Sequence, residues 1–168
     1  RFILICAMNP CPCGNLHSQT KNCICSQKDI LRYQRKMSGP IIDRIDLHLE
    51  VPQVEHEKLS DDSRFGEPSE KIRERVIKAR EIQKQRFIAK NKNIITNSEM
   101  GVRELKTFAS LTEAAKQTIL QAAKHLDLSA RAYHRVIKIG RTIADLEGDN
   151  NVNEGYILEA LQYRPKVS

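Results

Sequence analysis

The chain has 168 residues, enough for one ordinary domain or two small ones, and is 40% hydrophobic with 5% aromatics and no Trp, so its core is expected to be aliphatic and thin. Lys and Arg outnumber Asp and Glu by 28 to 21, a net charge of +7, which favours an anionic partner such as nucleic acid or nucleotide phosphate. No stretch is long enough to span a bilayer and no signal peptide is evident, so no membrane partner is expected and the cytoplasm is the default location. In that compartment thiols stay reduced, and clustered cysteines bind metal more often than one another.

Residues 2–7 are apolar throughout, as in a strand covered on both faces, which makes Cys6 a core residue. An irregular loop rich in Cys, Asn and Gly follows over 9–26, then a short polar helix over 27–37, halted by Ser38-Gly39-Pro40. Residues 45–51 alternate strictly and Pro52 closes them, the pattern of a half-exposed edge strand. Two such strands do not make a sheet, and the chain enters the first within one residue of Arg1, so it reads as the C-terminal part of a longer protein.

After a polar linker over 53–68, everything reads as helix. Ser69 is expected to cap a run to about residue 92, with Ile72, Val76 and Ala79 on one face. A short helix covers 99–108. Thr112 caps the next, with Ala115, Ile119, Ala122 and Leu126 as its stripe. Ser129 caps a longer helix carrying Ala132, Val136, Ile139, Ile143 and Leu146, stopped at Gly148, and Asn153 caps the last, to about residue 163. The expected fold is mainly α: two strands left from an α/β core (residues 1–52), a linker (53–68) and an α-helical lid bundle (69–168).

Several residues stand out for their chemistry. Cys11-Pro12-Cys13 and Cys23-Ile24-Cys25 are paired CxC units nine residues apart, and four thiolates on one loop could close a tetrahedral zinc site. CxxC is the commoner spacing because it strains the chain less; His17 could replace one cysteine, and four free thiols or disulfides remain the plain alternative. Asn9 follows the buried strand, where open α/β sheets bind ligands, although Asn9-Pro10 could simply turn the chain. Arg44 could reach an anion or pair with Asp43 or Asp46. Arg131, Arg135 and Lys138 fall at i, i+4 and i+7, a basic row of the kind that usually faces solvent. Residues 121–131 also read as a helix-turn-helix, against which stands the apolar stripe running on to Leu146. No glycine opens a P-loop.

Four blocks together are specific. Ala7-Met8-Asn9-Pro10-Cys11-Pro12-Cys13-Gly14, Ser38-Gly39-Pro40-Ile41-Ile42-Asp43-Arg44-Ile45-Asp46-Leu47-His48, Leu128-Ser129-Ala130-Arg131-Ala132-Tyr133-His134-Arg135 and Arg141-Thr142-Ile143-Ala144-Asp145-Leu146 resemble, in order, the Mg-chelatase-related AAA+ ATPases of the ComM (YifB) group. The resemblance implies that Asn9 is the sensor-1 residue, Arg44 the arginine finger, Arg131 (or Arg135) the sensor-2 arginine of a lid, and the cysteine loop a zinc site. It implies ATP and Mg2+ as ligands of the full-length protein, a hexameric ring, and work on DNA in uptake or recombination rather than metal insertion into porphyrins. Walker A and Walker B elements are missing from these residues, so this chain alone is expected not to hydrolyse ATP. Two other classes remain open: a helix-turn-helix DNA-binding module, and a zinc-stabilised adaptor without ATPase ancestry.

Overall fold

The computed structural model describes residues 3–18, 20–37, 39–52, 66–90 and 93–165. Among them are seven α-helices and no strand ladder, a mainly α chain. They fall into two compact units, one holding residues 3–45 and 49–52, the other 46–48 and 66–165.

In the first unit, Ser26 caps α1 (Gln27–Gln34), its hydroxyl accepting from the Asp29 N–H at 3.2 Å, and Ile30 is its buried residue. The helix ends three residues short of the expected 37. Gly39 and Pro40, expected to serve only as a break, instead open a single turn of helix, α2 (Gly39–Ile42), because proline is well suited to a first turn, where no N–H is needed. Residues 3–7 and 45–51 are not strands (Phe2 lies outside the described residues). Ile3 and Ile5 are each 90% exposed, and Cys6 is exposed rather than a core residue. The reason is cooperative: a strand exists only by pairing, and no described segment pairs with either. Of the expected linker, residues 53–65 lie outside the described residues.

The second unit is a helical bundle of α3 (Ser69–Ile88), a 3-10 turn (Asn97–Glu99), α4 (Val102–Phe108), α5 (Glu113–His125), α6 (Ala130–Glu147) and α7 (Glu154–Gln162). Thr112, Ser129 and Asn153 cap α5, α6 and α7 as the sequence predicts, each accepting from the backbone N–H three residues on. Gly148 ends α6 in the left-handed conformation. Ser69 does not cap α3; Pro68 occupies that position and makes no side-chain cap bond.

α6 is the centre of the bundle and packs against α7, α3, α4 and the 3-10 turn. Its Val136, Ile143 and Ala144 meet Ile119 of α5, Ile157 and Ala160 of α7, and Phe87 of α3 in one apolar cluster. Phe87 sets its ring edge-on against Phe108, with centroids 5.3 Å apart. Where α6 meets α7 the approach is close: a Cβ on Gly140 would lie 3.1 Å from Ile157 Cδ1 and 3.2 Å from Val152 Cγ1. A single parallel bridge, Leu111 to Val152, ties the starts of α5 and α7 together. Not every predicted stripe is covered. On α3 burial begins at Ala79 and continues to Gln83 and Phe87, while Ile72 and Val76 are exposed, as are Leu126 and Leu146 near helix ends.

Threaded through this apolar cluster is a buried polar network. The Asp145 carboxylate accepts from Arg141 Nε at 3.1 Å, from Arg86 Nη1 at 2.9 Å and from Asn97 Nδ2 at 2.7 Å. Arg86 Nη2 also donates to it. Arg141, fully buried, spends its remaining donors on the backbone carbonyls of Asp149 and Asn150. Asn97 donates to the Thr142 hydroxyl, and its backbone N–H donates to Gln83 Oε1. Removing one member of such a set strands the others' charge, a loss of about 3–5 kcal/mol. Asp145→Ala is therefore expected to lower the urea midpoint of the bundle by that equivalent, whereas Lys124→Ala, on the exposed side of α5, leaves it within about 0.5 kcal/mol; equal midpoints for the two variants would show the network to be dispensable.

Candidate functional site: a four-cysteine cluster and a basic cleft

The cysteine loop folds back through a turn in which the Gly14 N–H donates to the Cys11 carbonyl at 3.0 Å. Gly14 has φ +80°, a conformation that a side chain would strain. A second turn, from Ser18 N–H to the Asn15 carbonyl, continues the reversal. The result brings both CxC units together: the sulfurs of Cys11, Cys13, Cys23 and Cys25 all lie within 4.8 Å of one another. Cys11 and Cys13 are 3.4 Å apart, Cys11 and Cys23 3.7 Å, Cys13 and Cys23 3.6 Å.

Those distances exclude disulfide bonds, which need about 2.0 Å. They match a tetrahedral S4 site, in which metal–sulfur bonds of about 2.3 Å put the sulfurs about 3.8 Å apart. The donor set and its spacing thus fit zinc. The tighter CxC spacing does not prevent closure, and exposed His17 is not part of the cluster. Cys25 is followed directly by Ser26, the cap of α1, so the loop's last sulfur adjoins the helix start.

Without a metal, three of these thiols are electrostatically unequal. Backbone hydrogen bonds at Asn15 and Ile24 pull the Cys13 pKa down to about 6. For Cys25 a backbone bond at Cys13 acts in the same direction, but desolvation and the neighbouring sulfurs outweigh it and push the value up to about 12. Cys23 is likewise raised, by desolvation and its sulfur neighbours against a backbone bond at Cys25. The Cys13 thiolate forms readily, and its charge then opposes ionisation of Cys23 and Cys25.

Asn9 is exposed, its amide beside Gly14, where a Cβ would come within 3.8 Å of Nδ2. Arg44 is exposed and donates from Nη1 to the Pro40 carbonyl at 2.7 Å, which fixes it against α2. Asp46 does not turn back to Arg44. It pairs with Arg135 Nε at 3.3 Å, and the His48 N–H donates to the Tyr163 carbonyl at 2.8 Å, so residues 46–48 are held on the bundle.

In the bundle, Arg131, His134, Arg135 and Lys138 on α6 line one side of a cleft of about 390 Å3; Met100, Gly101, Val102 and Leu105 line the other. The row expected to face solvent is thus the basic wall of a cavity. Lys138 donates to the Ser98 carbonyl at 2.9 Å. Burial lowers its pKa, Asp46 acts to raise it and Arg135 to lower it further. Sequence reasoning singled out neither His134 as a cleft residue nor Asp46 as the partner of Arg135. His134 was findable, lying three residues after Arg131 on the same helix face; the partnership of Asp46 with Arg135 spans 89 positions and left no local signal. Because α6 runs on to Glu147 and buries Ala132, Val136 and Ile143, it is a core helix rather than a recognition helix.

Comparison with known proteins gives the family. Residues 66–164 match the C-terminal domain of magnesium chelatase subunit ChlI, and residues 1–59 match magnesium chelatase subunit ChlI itself. The chain belongs to this magnesium chelatase-related family. It is 39% identical over 170 aligned residues to competence protein ComM of Haemophilus influenzae, and 37% identical over 164 to YifB of Salmonella typhimurium and of Escherichia coli. These alignments cover 98–99% of this chain but only 31% of each relative. No helix among the described residues is long and apolar enough to cross a membrane.

The unequal thiols make a direct prediction for the reduced, metal-free chain. A group lowered to about 6 is mostly thiolate at pH 7, so iodoacetamide should label Cys13 first. Its rate should rise from pH 5 to pH 7 and then level, while Cys25, raised to about 12, stays slow across that range. Peptide mapping of partially alkylated protein checks the order.

Proposed function

We propose that this chain is the C-terminal part of a ComM-type AAA+ ATPase that couples ATP binding and hydrolysis to DNA remodelling in recombination or DNA uptake. In this reading Asn9 is the sensor-1 residue, Arg44 the arginine finger, and Arg131, with Arg135 as the alternate, the sensor-2 arginine of a helical lid. ATP and Mg2+ are the ligands of the complete protein, which assembles as a hexameric ring in the cytoplasm. The chain by itself, without Walker A and Walker B, is inactive.

The observation that carries the reading is the cleft on α6. Four basic side chains converge there, and an anionic oxygen, that of Asp46, already rests on Arg135. Phosphoryl transfer spreads charge over the γ-phosphate oxygens, and a planar guanidinium stabilises it through two parallel donors. Arg44 supports the same reading differently. It is exposed and anchored to the turn of helix that precedes it, so its charge is available to nucleotide bound on a neighbouring subunit.

The four cysteines are the zinc ligands in this proposal. Bound there, zinc would act as a structural cross-link between the loop and the start of α1. Protein purified in reducing, chelator-free buffer should carry about one zinc per chain by elemental analysis, and Cys11→Ser should release it. A metal-replete, reduced sample with no zinc would remove this part.

The ATPase reading is tested at Arg44. In the full-length protein, Arg44→Ala should reduce hydrolysis by roughly three to five orders of magnitude, less if the ring tolerates incomplete interfaces, while nucleotide binding stays near its original level. Mixed with a P-loop variant, Arg44→Ala protein should regain part of its activity, because some interfaces in mixed rings are complete. Unaltered hydrolysis by Arg44→Ala would reduce Arg44 to a brace for α2.

A further inference from the structure

A second cleft, of about 720 Å3, lies in the first unit between the cysteine loop and α1. Cys13, Ile24 and Cys25 form one wall, and Asp29, Arg32, Tyr33 and Lys36 the other. Neither the metal centre nor the nucleotide machinery accounts for what this second wall presents.

Charge is the first feature. Arg32 and Lys36 line the cleft, and Lys28, one helical turn before Arg32 on α1, extends the basic row beyond it, each step of four residues rising about 6 Å along the helix axis. The acidic group beside them, Asp29, is already committed: it accepts from Ser26 Oγ at 2.6 Å and from Arg32 at 2.7 Å. Among the described residues neither Lys28 nor Lys36 is held in an ion pair. A zinc–thiolate centre would add negative charge on the loop wall, so a polyanion entering the cleft is directed to the helix wall.

The second feature is apolar. Ile24, between two of the cysteines, is 86% exposed at the cleft, and the half-buried Tyr33 ring lines it. Phosphate alone has no use for either group. A ligand with regularly spaced phosphates and flat apolar faces uses both, and single-stranded nucleic acid is that ligand: backbone on a basic row, bases on a ring. In a duplex the bases are stacked and shielded from such a ring. An acidic peptide would satisfy the lysines but leave the ring and the isoleucine unused.

We propose that the cysteine loop and α1 form a docking surface for single-stranded nucleic acid, with phosphates along Lys28, Arg32 and Lys36 and a base against Tyr33 and Ile24. The surface rests on the nucleic-acid part of the proposed function and is independent of its ATPase part.

Fluorescence anisotropy with a labelled oligothymidylate tests it, using the 168-residue chain purified in zinc-containing buffer. The wild type should bind with a salt-dependent affinity. Lys36→Glu, which breaks no ion pair, should weaken binding severalfold and make the salt slope shallower by about 1. Tyr33→Ala should weaken it about fivefold or more and leave the slope unchanged. Lys124→Glu, at an exposed lysine of α5, should do neither. Matching circular dichroism and zinc content among the variants excludes misfolding as the cause. Binding that Lys36→Glu leaves intact, or that Lys124→Glu weakens equally, overturns the surface while the nucleic-acid reading stands. Tighter binding of the corresponding duplex overturns the stacking role. No binding by the wild type overturns the surface outright, and the Arg44→Ala assay is unaffected because it reads hydrolysis.

Discussion

A buried carboxylate sets the geometry of the bundle. Asp145 sits among apolar side chains at 1% exposure, a position that is tolerable only because two guanidiniums and an amide converge on it. Its partners come from three places: Arg86 on α3, Asn97 in the 3-10 turn and Arg141 one helical turn earlier on α6. Satisfying that one charge therefore fixes α3 and the turn against α6. The two remaining Arg141 bonds, to the carbonyls of Asp149 and Asn150, pin the chain where it leaves α6 for α7. Apolar packing alone would permit α6 to rotate or slide by a fraction of a turn. A directional network with so few solutions does not.

The fixed orientation of α6 gives its two ends different work. Toward its C-terminus the helix spends Arg141 on structure. Toward its N-terminus, Arg131, Arg135 and Lys138 emerge along the wall of the cleft, opposite the residues that lead into α4. That wall keeps its place because Val136 and Ile143, on the neighbouring face, are committed to the core. Arg135 on that wall also pairs with the half-exposed carboxylate of Asp46.

The first unit is organised by local rather than long-range forces. Turns at Gly14 and Asn15 fold the cysteine loop on itself, and the cap at Ser26 starts α1 immediately after the last sulfur. Residues 3–7 have no comparable local device, and residues 46–48 belong instead to the second unit, held through Asp46 on Arg135 and His48 on Tyr163. The apolar pattern of residues 3–7 and 45–51 asks for neighbours on a sheet, and among the described residues no ladder forms.

Local chemistry was legible from the sequence. The caps at Thr112, Ser129 and Asn153 and the stop at Gly148 depend on residues a few positions apart, and the convergence of the two CxC units on one short loop; each appears in the structure where its spacing placed it. The four blocks of family resemblance were legible for the same reason, as continuous runs. What the sequence could not determine was which apolar face is covered and which charge is buried. Ile72 and Val76 have the same periodicity as Val136 and Ile143, yet only the latter meet a partner helix. Arg131 and Arg141 look alike as letters, but one lines an open cleft and the other is sealed on Asp145. Only tertiary structure decides such cases, because burial is a property of two surfaces meeting and a single helix carries only one of them.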